Sequence, residues 1–240
     1  MLKYKCNLLK IICIFIIAIF LFPTICIASE SIYTWSNNAK PLTETIPTNA
    51  TTSLSLNVGS AVLIEQNSGQ VLYNQNMHEK LRPASVTKVM TILLIMEAID
   101  SGKLSYTDKI PCSEKAAGMG GSQIWLDVRE ELTVDEMLKA ICVVSANDCT
   151  VAMAEYLAGS EEAFVNQMNA KAKELGMNDT TFKNCHGIDE DGHVTSAYDI
   201  ALMSRDLLTK HPSITKYTTI YMDSLRDGKS SLVNTNKLVR

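Results

Sequence analysis

The stretch Arg82-Pro-Ala-Ser-Val-Thr-Lys-Val-Met-Thr91 decides how the rest of this chain is read. Pro83 marks a helix entry, where a missing N–H costs little. The residues that follow are apolar nearly all round: Val86, Val89, Met90, Ile92, Leu93, Leu94 and Ile95. A helix without a polar face is a buried one. The spacing predicts a helix from about Ser85 to Ile99, stopped by Asp100-Ser101-Gly102. Ser85 and Lys88 stand three residues apart and share a face of it. A serine hydroxyl is a weak nucleophile until a base takes its proton. A lysine can be that base only where burial has lowered its pKa, and Val89, Met90, Leu93 and Leu94 offer such surroundings. The helix N-terminus favours an anion forming at the serine. The Ser85 N–H can serve as one oxyanion donor. Ser-x-x-Lys alone is better read as a capping serine and a solvated lysine; the apolar surroundings of Lys88 argue against that reading.

Toward the N-terminus, Ser60–Ile64 and Gln70–Tyr73 read as a hairpin around the turn Asn67-Ser68-Gly69. Residues 29–57 are rich in Ser, Thr, Asn and Pro and read as a flexible leader. Residues 1–28 read as a secretory signal peptide, with Lys3, Lys5 and Lys10, the apolar run Ile11–Phe22, and small residues for cleavage after Ala28. The run is short for a membrane span, which needs roughly 20 residues, so contact with the membrane is expected to be transient.

Toward the C-terminus, Glu131 to Leu157 reads as two helical pieces separated by Ser145-Ala146-Asn147-Asp148. Thr133 and Glu136 form a capping box, and Val134, Met137, Leu138, Ile141 and Cys142 a helical stripe. Ser160 opens a third helix ending at Gly176, and Ser196 with Asp199 a fourth ending before Pro212; 181–195 reads as loop. Tyr217–Met222 and Ser231–Val233 read as a hairpin around Asp227-Gly228.

The 240 residues suffice for one large domain or two small ones. Of 22 basic and 26 acidic residues, the leader segment 1–28 holds three lysines, leaving 19 against 26, a net charge of −7. That balance argues against a nucleic-acid binder, which carries a basic patch. Outside the signal segment the cysteines are Cys112, Cys142, Cys149 and Cys185. They read mostly as small buried hydrophobes, and no pairing follows from sequence.

The second constellation is Ser145-Ala146-Asn147, whose polar tips can point into a cleft from the break between two helices. Ser145 suits a proton relay to a leaving group; Asn147 suits a bond to a substrate amide and a hold on Lys88. Alone, the segment is better read as a helix-capping loop. Ser-x-x-Lys on a buried helix, followed some 60 residues later by Ser-x-Asn, is the motif order of the penicillin-recognising serine enzymes. Arg82–Thr91 resembles the active-site segment of the low-molecular-mass penicillin-binding proteins, the D-alanyl-D-alanine carboxypeptidases. Gly120-Gly121-Ser122-Gln123, Ser145–Asp148 with Val151–Ala154, and His186–Asp189 with Asp191-Gly192-His193 resemble further segments of that family. The likeness runs from about residue 58 to the end.

The resemblance implies the mixed α/β (α+β) fold of serine β-lactamases and penicillin-binding proteins, here mostly its helical part. It implies Ser85, Lys88 and Ser145 as catalytic residues and Asn147 as a substrate-binding residue. It implies a peptidoglycan stem peptide as substrate, β-lactams as covalent inhibitors, an extracytoplasmic location, and no metal or organic cofactor. The family's third motif, Lys-Thr-Gly, does not occur in the 240 residues. The chain therefore reads as a truncated member, incomplete at the C-terminus and feeble or inactive as it stands.

Three rivals remain. A class A β-lactamase needs a further glutamate, and Glu162–Asn166 lies too close to Ser145 and reads as surface helix. A zinc peptidase would use Cys185, His186, Asp189 and His193, which do not form the His-Glu-x-x-His helix. A non-catalytic binder of cell-wall peptides would not be acylated.

Overall fold

A computed structural model describes residues 54–239. The expected signal peptide and residues 29–53 of the leader lie outside the described residues. Among the described residues no helix is long and apolar enough to cross a membrane.

Strands β1 (Ala61–Ile64) and β2 (Val71–Gln75) form the expected antiparallel hairpin, with an irregularity between Leu63 and Ile64. Its turn is organised by Glu65, whose carboxylate accepts from the N–H groups of Asn67 and Ser68. A 3₁₀ turn, Ala84–Thr87, leads into helix α1, Lys88–Asp100. The ribbon β3 (Lys109–Pro111) with β4 (Glu131–Thr133) brackets the short helix α2, Glu114–Ala117. Helices α3 (Val134–Val144), α4 (Asn147–Ala158), α5 (Glu161–Glu174) and α6 (Ala197–Lys210) follow. A one-turn helix α7 (Thr215–Thr218) precedes the hairpin β5 (Met222–Leu225) and β6 (Ser230–Val233).

The core is built around α1, which packs against α4, α5 and α6. Met90, Leu93, Ile95 and Met96 are fully buried. Each such side chain stabilises the fold by roughly 1.5–3 kcal/mol. Local signals set the helix ends. The capping box of Thr133 and Glu136 opens α3, with both reciprocal bonds present. Ser160 and Ser196 cap α5 and α6 through their hydroxyls.

Three expectations need correction, and one pair of strands was not expected. The α-helix begins at Lys88, and Ser85 lies on the 3₁₀ turn before it. The break after α3 is Ser145-Ala146 alone, because Asn147 and Asp148 already belong to α4. The last hairpin starts at Met222, not Tyr217. Tyr217 is buried in α7, stacked beside Tyr106, with its hydroxyl donating to Asp135 at 2.7 Å. That burial overrides the β-propensity of Tyr217-Thr-Thr-Ile-Tyr. The β3–β4 ribbon went unread because three-residue strands some twenty residues apart carry no periodic signal.

Candidate active site

The segment that carries Ser85 is held in an unusual backbone. Ala84 has a left-handed φ of 46°, and the 3₁₀ turn from Ala84 to Thr87 follows. Residues i and i+3 eclipse in a 3₁₀ turn, so Lys88 stands directly over Ser85. Lys88 Nζ lies 3.3 Å from Ser85 Oγ and donates to His186 O at 2.6 Å. Ser85 is exposed, whereas Lys88 is 3% exposed. Burial lowers the Lys88 pKa to about 8. A thiolate at Cys185 would oppose this, but burial holds that thiol well above its ordinary pKa and so neutral. An open hydroxyl beside a buried amine that sheds its proton readily suits proton removal from the serine.

The second motif lies at the α3–α4 break. Ser145 closes α3 in a left-handed conformation, φ 60°. The next two residues turn the chain into α4, whose first residue is Asn147. Asn147 Nδ2 donates to Gly120 O at 2.8 Å, and its N–H donates to Ser122 O at 2.7 Å. Its Oδ1 is buried without a partner among the described residues. A buried acceptor left open is costly unless a donor arrives. No hydrogen bond joins Ser145 or Asn147 to Ser85 or Lys88 among the described residues.

The loop carrying Gly120–Gln123 is pinned from beneath by Asp148. This fully buried carboxylate accepts from the N–H groups of Ile124 (3.0 Å), Leu126 (3.1 Å) and Cys149 (2.9 Å). Arg226 closes the loop from the β5–β6 side, donating to Ile124 O, Trp125 O and the Glu130 carboxylate. At Gly121, φ +74°, a Cβ would stand 2.9 Å from Asn147 Nδ2. Sequence reasoning found Gly120–Gln123 only through the family likeness, and it missed Asp148 and Arg226 as the residues that shape it.

The loop 184–193 lies against the Ser85 turn. Gly187, φ +90°, lies so close to the nucleophile turn that a Cβ there would meet Ala84 O at 1.9 Å. Thr91 Oγ1 donates to Cys185 O at 2.6 Å. His193 Nδ1 accepts from the Lys183 N–H at 3.1 Å, which assigns the ring proton to Nε2, 2.7 Å from Thr87 Oγ1. Arg82 pairs with Asp189.

The side chains of the zinc rival do not converge on one point: Cys185 and His186 both face Glu161, while His193 faces Thr87 and Asp189 faces Arg82. Among the described residues no group of three or more His, Cys, Asp or Glu is placed to hold a metal ion. Within Glu162–Asn166, Phe164 and Val165 face the core and Glu162 and Asn166 face solvent. Cys112, Cys142, Cys149 and Cys185 carry free thiols. Burial raises the pKa of Cys112 to about 11 and of Cys142 to about 12, so these act as small apolar groups.

Comparison with known proteins gives the family and the fold. Residues 47–240 match the family described as D-alanyl-D-alanine carboxypeptidase. The chain is 57% identical over 193 residues to the D-alanyl-D-alanine carboxypeptidase DacF of Bacillus subtilis, covering 79% of this chain and 49% of that protein. It is 38% identical over 160 residues to DacA of Escherichia coli K12, covering 64% and 40%. The chain thus spans about half the length of the curated relatives it matches or less. Among solved structures, penicillin binding protein 5 from Haemophilus influenzae superposes with a TM-score of 0.73 at 30% identity, over 77% of this chain and 54% of that one. Penicillin-binding protein D2 from Listeria monocytogenes in its ampicillin-bound form superposes with a TM-score of 0.68 at 29% identity, over 78% and 75%. The fold is that of the penicillin-binding proteins, with helices dominant. The chain belongs to the D-alanyl-D-alanine carboxypeptidase family of serine peptidases.

Proposed function

We propose that Ser85 is the acylated nucleophile of a D-alanyl-D-alanine carboxypeptidase acting on peptidoglycan stem peptides. The observation that carries this is the exposed Ser85 hydroxyl 3.3 Å from the amine of the buried Lys88. Neutral Lys88 takes the Ser85 proton as Oγ attacks the carbonyl of the penultimate D-alanine. The Ser85 N–H and the positive end of the following helix stabilise the oxyanion. The proton passes by way of Ser145 to the amine of the departing D-alanine. Water then releases the shortened peptide from Ser85. The open Oδ1 of Asn147 accepts from a substrate N–H or from Lys88. The 240 residues contain no Lys-Thr-Gly, so no step is assigned to one.

β-Lactams acylate the same serine in this reading. Support comes from similar penicillin-binding protein structures in ampicillin- and cefotaxime-bound forms. The substrate class implies a site of action outside the cytoplasm, in keeping with the signal-like residues 1–28 and cleavage after Ala28.

The test is retention of labelled penicillin on the chain through denaturing electrophoresis. Stable label in the unaltered chain, absent from Ser85→Ala, is the expected result. Rapid hydrolysis without a lasting adduct would favour the β-lactamase rival. No attachment at all would favour a non-catalytic peptide binder.

A further inference from the structure

Glu161 opens α5, a place where an acidic residue normally sits on the surface and complements the helix dipole. Its neighbour Glu162 does that and is exposed. Glu161 is instead 8% exposed and turned toward Cys185 and His186. Its Oε1 accepts from the Cys185 N–H at 3.1 Å and from Cys185 Sγ at 3.3 Å, and lies 3.4 Å from His186 Nε2. Its Oε2 lies 2.7 Å from Lys115 Nζ. His186 Nδ1 accepts from the Ile188 N–H, so the ring proton is on Nε2 and points at the carboxylate.

The bonds of Oε1 fall on Cys185 and His186, the segment whose carbonyl His186 O holds Lys88 Nζ at 2.6 Å. Thr91 Oγ1 holds the same segment from α1 through Cys185 O. We propose that Glu161 is a positioning residue for Lys88. It fixes the Cys185–His186 backbone, and that backbone fixes where the amine stands relative to Ser85 Oγ. The proposal rests on the reading of Ser85 and Lys88 as nucleophile and base. It adds that Glu161 acts through hydrogen-bond reach and not through its charge. Lys115, Glu162, Lys183, Asp189 and Glu190 line the same cleft of about 380 Å³, so charges of both signs surround the carboxylate. Against that background one more negative charge is a poor lever on Lys88, whereas a bond to a backbone N–H is specific.

Two substitutions separate reach from charge. Glu161→Gln keeps an oxygen at the Cys185 N–H and discards the charge. Glu161→Asp keeps the charge and withdraws it by one methylene. Gln is expected to leave penicillin acylation within about threefold of the unaltered chain, and Asp to slow it by about 10- to 100-fold, the scale of a misplaced catalytic group. The second readout is the titration of Lys88 itself, followed by NMR of ¹³Cε-lysine-labelled chain with the signal assigned by Lys88→Arg. Its midpoint is expected to move by about half a pH unit or more in Asp and to stay in place in Gln, because the carbonyl bond that favours the ammonium is disturbed only in Asp. Circular dichroism confirms that each variant is folded. An impaired Gln with an intact Asp, or no movement of the Lys88 midpoint in Asp, would overturn the proposal. Failure of the unaltered chain to take up penicillin would sink the proposed function, while the NMR titration would still decide the role of Glu161.

Discussion

At the residue scale the proposed chemistry turns on Lys88, a cation placed where a cation is disfavoured. Burial brings its pKa to about 8, and only the neutral amine can accept the Ser85 proton. The rate of acylation by a penicillin is therefore expected to rise about tenfold per pH unit below that value and to level off above it. A profile flat from pH 6 to 9 would remove Lys88 from the role. Gly187 makes a second demand on single-residue geometry. An alanine there would need a left-handed φ and would drive its Cβ into Ala84 O. Gly187→Ala is expected to cost about 2–4 kcal/mol in chemical denaturation, from strain and overpacking together. The Ser-x-x-Lys pair was legible in sequence because its spacing and apolar surroundings are both local. Glu161 was not, because a glutamate at a helix start has an ordinary explanation, and only the approach of Cys185 and His186 gives it another.

At the element scale the loop 184–193 is pressed against the start of α1. The hairpin β1–β2, the capping box of α3 and the caps of α5 and α6 were legible, since each depends on residues within a few positions. The loop 120–126 was not, because what shapes it comes from Asp148 and Arg226, far along the chain. Asp148→Ala strips the partners from the Ile124 and Leu126 N–H groups. It is expected to lower unfolding stability by about 2–4 kcal/mol, the scale for losing hydrogen bonds to a buried charge. A loss below about 0.5 kcal/mol, the level of an ordinary surface change, would mean that the loop holds itself.

At the scale of the whole molecule, two buried histidines tie the site to pH. Burial depresses both, His186 to about 4 and His193 below its ordinary value. Between the ordinary histidine value, about 6.5, and these lower ones, the unfolded chain binds more protons than the folded one. Stability contributed by the two histidines is thus present above about 6.5 and is lost as pH falls toward 4. Asp199, raised by burial, works in the opposite sense over its own range. The thermal midpoint is expected to fall steadily from pH 6.5 to 4.5, and His193→Asn is expected to flatten part of that slope. A midpoint unchanged across this window would contradict the burial described here. The fold class was legible because a buried amphiphile-free helix, a Ser-x-Asn break and their order along the chain all resemble one family. Packing around Tyr217 was not legible, since it depends on Tyr106 and Asp135 from distant segments.

The most direct measurement of the central claim is the position of the penicillin adduct. Trypsin cuts after Lys80 and Lys88 but not between Arg82 and Pro83, so Ser85 falls in the peptide Leu81–Lys88. Mass spectrometry of the labelled chain should find the added penicilloyl mass on that peptide, localised to Ser85 and absent when Lys88 is replaced by arginine. An adduct on any other residue, or one formed as fast in Lys88→Arg, would contradict the account.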